Sequence, residues 1–289
     1  MDEQDQPISG LAPAQIRQFE RDGFIALPCI APPDDVQVIR QIITRMHEKR
    51  TGFREGAQFN LVGADHDPGP VISQILSPHL YAKRLRRTLF FQNAFSIARQ
   101  LLGPKTQFSF DHALIKPART GAATPWHQDE AFRDPAYDYH ELSFWMPLQP
   151  VDLENGCMEF IPRSHKTEIL PHRSPGNDVS LHALECAGEI DFRAAIRVPL
   201  AAGGCTIHTP RTLHGTGPNR SGAPRLAYVL GFNTPRQHRV VSREFPWRSE
   251  KQELRAAREQ SWRRRGGSLI LKWRDLQRRH PRWLLDDYI

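Results

Sequence analysis

Cysteine is scarce in this chain. Its four copies among 289 residues, Cys29, Cys157, Cys186 and Cys205, stand far apart and form neither a CxxC pair nor a disulfide framework. No apolar run approaches the roughly 18 to 20 residues that a membrane-spanning helix needs. A basic-then-apolar leader is also missing: the chain begins Met1-Asp2-Glu3-Gln4-Asp5, and export is not expected. There is no internal repeat and no low-complexity segment. These absences leave a reduced, soluble, cytoplasmic protein as the expectation.

Charge is present but unevenly placed. The formal net charge is +7, yet residues 236 to 289 hold 15 Lys and Arg against 7 Asp and Glu, and the other 235 residues hold 24 against 25. The basic balance therefore belongs to the C-terminal stretch and not to the body of the protein.

The body reads as helices followed by strands. Ile16 and Phe19 mark a first helix, stopped at Asp22-Gly23 before the strand-like Phe24-Ile-Ala-Leu-Pro28. Asp34-Asp35 provide an N-terminal cap and dipole partner for a helix carrying Val36, Ile39, Ile43 and Met46 on one stripe. Residues 51 to 80, rich in Gly, Pro, Asp and His, read as an irregular excursion. A further helix is expected over Tyr81 to Leu102, ended by Gly103-Pro104. From Thr106 the period changes to 2: Phe108, Phe110, His112 and Leu114 alternate, and short apolar runs recur at 142–146, 158–161, 195–200, 205–207 and 226–230. Helices first and many short strands after imply a mainly β protein with flanking helices, a jelly roll of the cupin kind. Residues 167 to 194 interrupt the strands, and an insert of that length is expected to cover a mouth.

The chemistry-bearing run is Trp126-His127-Gln128-Asp129, followed by His214-Gly215 and, eleven residues on, Arg225. At the end of a strand, residues i and i+2 point the same way, so His127 and Asp129 can reach one metal. Two imidazoles and one carboxylate hold non-haem Fe(II) on one face and leave the opposite positions open. The third ligand must come from a distant strand, with His214 and His208 as rivals. His208, in the apolar run Cys205-Thr-Ile-His, also reads as a packed, hydrogen-bonded histidine. An arginine opening an apolar strand can clamp a carboxylate through two parallel hydrogen bonds, so Arg225 points to a dicarboxylate co-substrate.

The ordered motifs go further. Lys116-Pro117, His127-Gln128-Asp129, Trp145 eighteen residues after His127, Glu154-Asn155-Gly156-Cys157-Met158, Ile161-Pro162-Arg163-Ser164-His165-Lys166 and Pro210-Arg-Thr-Leu-His214-Gly-Thr-Gly-Pro-Asn219 appear together over roughly residues 12 to 233. In these the chain resembles the phytanoyl-CoA dioxygenase family of Fe(II)/2-oxoglutarate-dependent oxygenases. The resemblance implies a double-stranded β-helix and selects His214 over His208 as the third iron ligand. It also gives Arg225 the distal carboxylate of 2-oxoglutarate, with Thr216 as a second donor. Trp145 is expected either to wall the co-substrate or to be a plain core aromatic. Lys116 either reaches a carboxylate or lies on the rim, and His165 is either architectural or placed behind a metal ligand. The implied reaction couples conversion of 2-oxoglutarate and O2 into succinate and CO2 to hydroxylation of an unactivated C–H, with ascorbate admitted as reductant. In related halogenases the carboxylate is replaced by a small residue, so the presence of Asp129 implies hydroxylation.

On this reading residues 1–235 form the oxygenase domain, with N-terminal helices in 12–103 and a jelly-roll core in 104–235, and residues 236–289 are a basic, helical extension. Phe132, Arg133, Tyr137 and Tyr139, just after the metal run, are expected either to touch substrate or to belong to a plain surface loop. In the extension, Trp262, Trp273 and Trp283 recur close to whole helical turns. Three readings of it stay open: a docked helix, an interfacial or basic rim for an anionic or lipid-linked substrate, and nucleic-acid binding, which no motif supports. The expected partners are a small-molecule or lipid-linked substrate, at most peripheral contact with a membrane, and no nucleic acid, in a monomer or homodimer. The rival to an enzyme is a catalytically silent cupin-like metal-binding or assembly protein that has kept the metal residues.

Overall fold

The computed structural model describes residues 6–54, 56–62, 72–179 and 181–249. The three tryptophans at 262, 273 and 283 lie outside these residues. Along the chain come α1 (Pro13–Asp22), β1 (Phe24–Leu27), α2 (Pro33–Glu48), β2 (Gln58–Val62), β3 (Ile72–Leu76), α3 (Leu89–Leu102), β4 (Gln107–Lys116) and β5 (Thr124–His127). They are followed by β6 (Tyr137–Asp138), β7 (Glu141–Pro147), β8 (Met158–Phe160), β9 (His172–Arg173), β10 (Glu185–Cys186) and β11 (Ile196–Val198). The last strands are β12 (Cys205–His208), β13 (His214–Thr216), β14 (Arg225–Asn233) and β15 (Gln237–His238).

Two antiparallel sheets make the jelly roll. The larger runs β1-β12-β7-β14-β4-β3-β2 and the smaller β11-β8-β13-β5. The strands β12, β7 and β14 of the larger sheet are covered on both faces, which is why they read as continuous apolar runs. Phe144, Met146, Ile207, Tyr228, Leu230 and Phe232 face the helices together with Ile39, Ile43, Phe90 and Ile97. The alternate residues Trp145, Ala227 and Val229 face inward onto Met158, Phe160 and Val198 of the smaller sheet. A one-residue slip would exchange these two sets and turn Arg225 into the helix layer. Fully burying a side chain such as Phe144 stabilises by about 1.5–3 kcal/mol, which fixes the register strongly.

The local details follow from residue chemistry. Gly23 ends α1 at φ 82°, and its N–H donates to Phe19 O. That left-handed conformation suits glycine, and a Cβ there would also strike the His165 ring. His165 Nε2 contacts Glu20 O, in keeping with an architectural role.

Several expectations need correction. The stretch 51–80 is not simply irregular: β2 and β3 extend the larger sheet beyond β4 on either side of the Gly- and Pro-rich residues that hid them. The helix expected from Tyr81 begins at Leu89, because Thr88 leaves the helical region and its hydroxyl accepts the Phe91 N–H. Asp34-Asp35 do not cap α2: its cap position is Pro32, with both acids in the first turn, and Asp35 accepts the Phe90 N–H of α3. The 167–194 insert forms the β9–β10 ribbon, where the Ala183 N–H donates to Leu61 O and the ring of Phe192 meets Trp126 on β5. Among the described residues no helix is long and apolar enough to cross a membrane, and Cys157, Cys186 and Cys205 are free thiols.

Candidate active site

His127 ends β5 and pairs across the sheet with His214 on β13, so the two imidazoles come from neighbouring strands. Asp129 opens the short 3-10 turn Asp129–Phe132 that follows β5. Its Oδ1 lies 3.4 Å from His127 Nε2 and 3.8 Å from His214 Nε2, and one donor atom from each of the three residues falls within 4.8 Å of the others. Each imidazole also has its Nδ1 at 2.8 Å from the carbonyl two residues earlier, Pro125 for His127 and Thr212 for His214. A carbonyl can only accept, so Nδ1 carries the proton and Nε2 turns its lone pair towards Asp129. Burial, and then the neighbouring imidazoles, hold His214 well below its usual titration range. Burial alone would raise the Asp129 carboxyl, but the imidazoles of His214, His127 and His208 outweigh it and keep the group well below the usual carboxylate range. Two imidazoles and one carboxylate are the donor set that suits a divalent transition metal.

The other carboxylate oxygen is also held. Asp129 Oδ2 accepts from Ser143 Oγ at 3.2 Å and lies 3.6 Å from His208 Nε2. The apolar run around His208 points to a packed, hydrogen-bonded histidine. It is buried, but it faces Asp129, its ring centroid stands 4.4 Å from that of His214, and its Nδ1 has no partner. Ser143 went unnoticed in the sequence, although it stands two residues before Trp145 and shares its face. Gln128, between the two ligands, points away: its amide accepts the Leu170 N–H and donates to Arg211 O.

Two residues further along β13, about 7 Å at strand rise, the barrel interior becomes basic. Arg225 and Lys116 face each other on β14 and β4. Lys116 is fully buried, which removes the rim alternative. Its Nζ donates to Thr216 Oγ1 at 2.6 Å and Gly217 O at 2.5 Å, and burial followed by Arg225 lowers its pKa to about 6. Thr216 Oγ1 donates to Thr124 Oγ1. Arg225 is 1% exposed, its guanidinium stands 5.4 Å from the Trp145 ring centroid, and its Nε and Nη1 have no partner. A buried cation with unmatched donors is a costly arrangement unless an anion completes it.

The loop after the turn is less uniform. Phe132 is 40% exposed with its ring edge-on to His127. Arg133 is bound to the buried Glu141 and lies near the rings of Phe110 and Tyr139. Tyr139 is tied within the loop, where its hydroxyl accepts the Asp134 N–H. Tyr137 lies under the Arg236 guanidinium at 3.9 Å and beside His238, and is engaged by the chain after β14.

The sequence profile of the phytanoyl-CoA dioxygenase (PhyH) family matches residues 19–227. The chain belongs to the phytanoyl-CoA dioxygenase family. Its relatives include a probable alpha-ketoglutarate-dependent hypophosphite dioxygenase of Stutzerimonas stutzeri, 28% identical over 222 residues that cover 75% of this chain and 77% of that protein. The ectoine dioxygenase of Halomonas elongata is 26% identical over 254 residues, covering 83% and 74%. The crystal structure of EvdO2 from Micromonospora carbonacea var. aurantiaca, complexed with 2-oxoglutarate, superposes with a TM-score of 0.71 at 30% identity, over 83% of this chain and 98% of that one. Membership in a phytanoyl-CoA dioxygenase family of dioxygenases and hydroxylases makes the chain an enzyme and sets aside the silent cupin.

Proposed function

We propose that this enzyme is a non-haem Fe(II)/2-oxoglutarate-dependent dioxygenase that hydroxylates an unactivated C–H bond of a small molecule, with His127, Asp129 and His214 as iron ligands. One observation carries the reading: the unmatched Arg225 guanidinium is enclosed in the same barrel interior as a His-Asp-His set whose lone pairs converge. With iron bound, the site supplies oxidising chemistry in which O2 and 2-oxoglutarate become succinate and CO2 as a substrate C–H is hydroxylated.

The chain's own residues do the rest. His127 and His214 keep Nδ1–H on backbone carbonyls, which fixes the tautomer and ring angle required of a ligand. Ser143 and His208 hold Asp129 Oδ2, leaving Oδ1 for the metal. Arg225 receives the distal carboxylate, Thr216 and Lys116 stand beside it, and Trp145 walls the chamber. This wall and the buried strands around it keep water from the reacting atoms. Asp129 occupies the position a halide would need, which favours hydroxylation over halogenation.

Phe132, Arg133 and Tyr137 are assigned to substrate contact, since they end or follow the turn that carries Asp129. An anionic or lipid-linked substrate is supported by the basic balance of residues 236–289, which would also allow peripheral contact with an anionic membrane. The free thiols support a reduced, cytoplasmic setting, with the enzyme acting as a monomer or homodimer. We assign residues 1–235 to the oxygenase domain and 236–289 to its extension. The test is Fe(II)-dependent succinate formation from 2-oxoglutarate, with ascorbate as reductant, followed by a panel of neutral and anionic small molecules that stimulate it. A protein that forms no succinate with any candidate and binds no 2-oxoglutarate would refute the reading.

A further inference from the structure

The family-matched region stops at residue 227, yet the chain beyond it returns to the turn that carries Asp129. β15 pairs with β6 in a two-stranded ribbon, and Arg239 Nη1 anchors it to Asp138 Oδ1 at 2.5 Å. Two side chains then reach deeper. Arg243 Nη2 stands 2.6 Å from Glu130 Oε1 and donates to Tyr137 O, and its Nε donates to Pro135 O. Glu130, next to Asp129, is only 2% exposed. Trp247 Nε1 donates to Ala131 O at 3.0 Å, and its ring lies against that of His172. His172 Nδ1 donates to Leu170 O, and its Nε2 accepts the Gln128 N–H at 3.1 Å. The residue before Asp129 and the two after it are therefore each held by this segment or by a ring it supports.

We propose that Arg243 and Trp247 are positioning residues for the metal centre, fixing the 128–131 turn so that Asp129 Oδ1 faces the two imidazoles. The proposal rests on the ligand reading above. A four-residue 3-10 turn has weak hydrogen bonds of its own and keeps its shape through its ties to neighbouring elements. Removing Arg243 takes away the bridge from Glu130 to the backbone of Pro135 and Tyr137 and also leaves the Glu130 carboxylate buried without its cation, and the loss of the bridge alone lets the turn swing towards water. Asp129 would move with it. Holding the ligand in place beforehand removes an ordering cost from metal binding, the usual role of groups one layer behind a metal ligand.

The test is a Co(II) titration of the full-length protein, read by visible absorption and paired with circular-dichroism melts. The variants are Arg243→Met, Trp247→Phe, the double variant Glu130→Gln/Arg243→Met, and Arg239→Ala, whose anchor is Asp138 and not the turn. Arg243→Met should raise the Co(II) Kd roughly 10- to 100-fold and shift the Co(II) bands. Trp247→Phe, which keeps a ring on His172, should show the same spectral change with a smaller loss. Arg239→Ala should match wild type. The double variant has no stranded carboxylate, so it decides the matter if Arg243→Met alone fails to fold, and it should still bind weakly. Wild-type Kd and bands in both the double variant and Trp247→Phe would overturn the proposal. So would an equal loss in Arg239→Ala, which would mark a general effect on stability. A wild-type protein that takes up no Co(II) would overturn the ligand reading, and the positioning role with it.

Discussion

Replacing Arg225 with methionine should make the protein more stable and the enzyme useless. Burial pulls the guanidinium well below its ordinary value, to about 10. At about 1.36 kcal/mol per pH unit, keeping it charged costs the co-substrate-free protein about 3 kcal/mol. The penalty is present in full at neutral pH and is relieved only as pH climbs above about 10. Methionine keeps most of the packing against Trp145 and removes the charge. The metal- and co-substrate-free protein should therefore melt several degrees higher, since about 1 kcal/mol moves Tm by roughly 2–4 °C at this size. The same change removes two hydrogen bonds to a carboxylate, each worth about 1.5–3 kcal/mol. At 1.4 kcal/mol per decade, the affinity for 2-oxoglutarate should fall by roughly two to four decades. Melting curves with Mn(II), with and without 2-oxoglutarate, read both effects: wild type should gain stability from the acid and Arg225→Met should not. Unchanged 2-oxoglutarate binding would refute the clamp. A variant that melts lower than wild type without ligands would show that Arg225 is structural, and Lys116 would become the next candidate.

Other outcomes follow from the same geometry. His127→Ala or His214→Ala should abolish iron-dependent succinate formation with the fold retained by circular dichroism, whereas Asp129→Gly should keep some metal through the two imidazoles yet lose hydroxylation. Ser143→Ala removes one support of Asp129 Oδ2 and should weaken metal binding by about 0.5–1.5 kcal/mol, roughly two- to tenfold, on titration. Lys116, lowered to about 6, is mostly neutral at pH 8, while an unfolded amine is charged there. The ligand-free protein should therefore gain stability as pH rises from about 6 towards 10, by at most about 1.4 kcal/mol per pH unit, and Lys116→Met should flatten that slope in urea melts at several pH values. A carboxylate arriving beside Lys116 favours the charged amine, so 2-oxoglutarate binding at pH 8 should take up protons, measurable by calorimetry in two buffers of different ionisation enthalpy.

The features carried by local pattern were legible in the sequence. His127 and Asp129 sit two apart at a strand end, and the inward set of β14, Arg225, Ala227 and Val229, follows from alternation once the strand is placed. The jelly roll itself was signalled by short apolar runs between turn residues. What depended on pairing between distant segments was not legible. Lys116 opposes Arg225 only through the β4–β14 register, and nothing near Lys116 in sequence separates a buried amine from a rim lysine. His208 lies in an apolar run because it is buried, but only the β12–β7 pairing sets it beside Ser143 and towards Asp129. β2 and β3 were missed because the link between them carries Gly, Pro and Asp. The contact of Arg243 with Glu130 spans more than a hundred residues, and the basic composition around Arg243 reads locally as a solvated face.

The central claim is that one iron and one molecule of 2-oxoglutarate share the chamber between the His-Asp-His set and Arg225. It is tested most directly under anaerobic conditions, by adding Fe(II) and 2-oxoglutarate to the purified protein and recording the visible charge-transfer absorption of a 2-oxo acid chelated to ferrous iron. Absorption that requires both additions, saturates near one equivalent of each, disappears in His214→Ala and demands far more 2-oxoglutarate in Arg225→Met is the predicted result. No absorption in the wild-type protein, or absorption that survives loss of both His127 and His214, would contradict it.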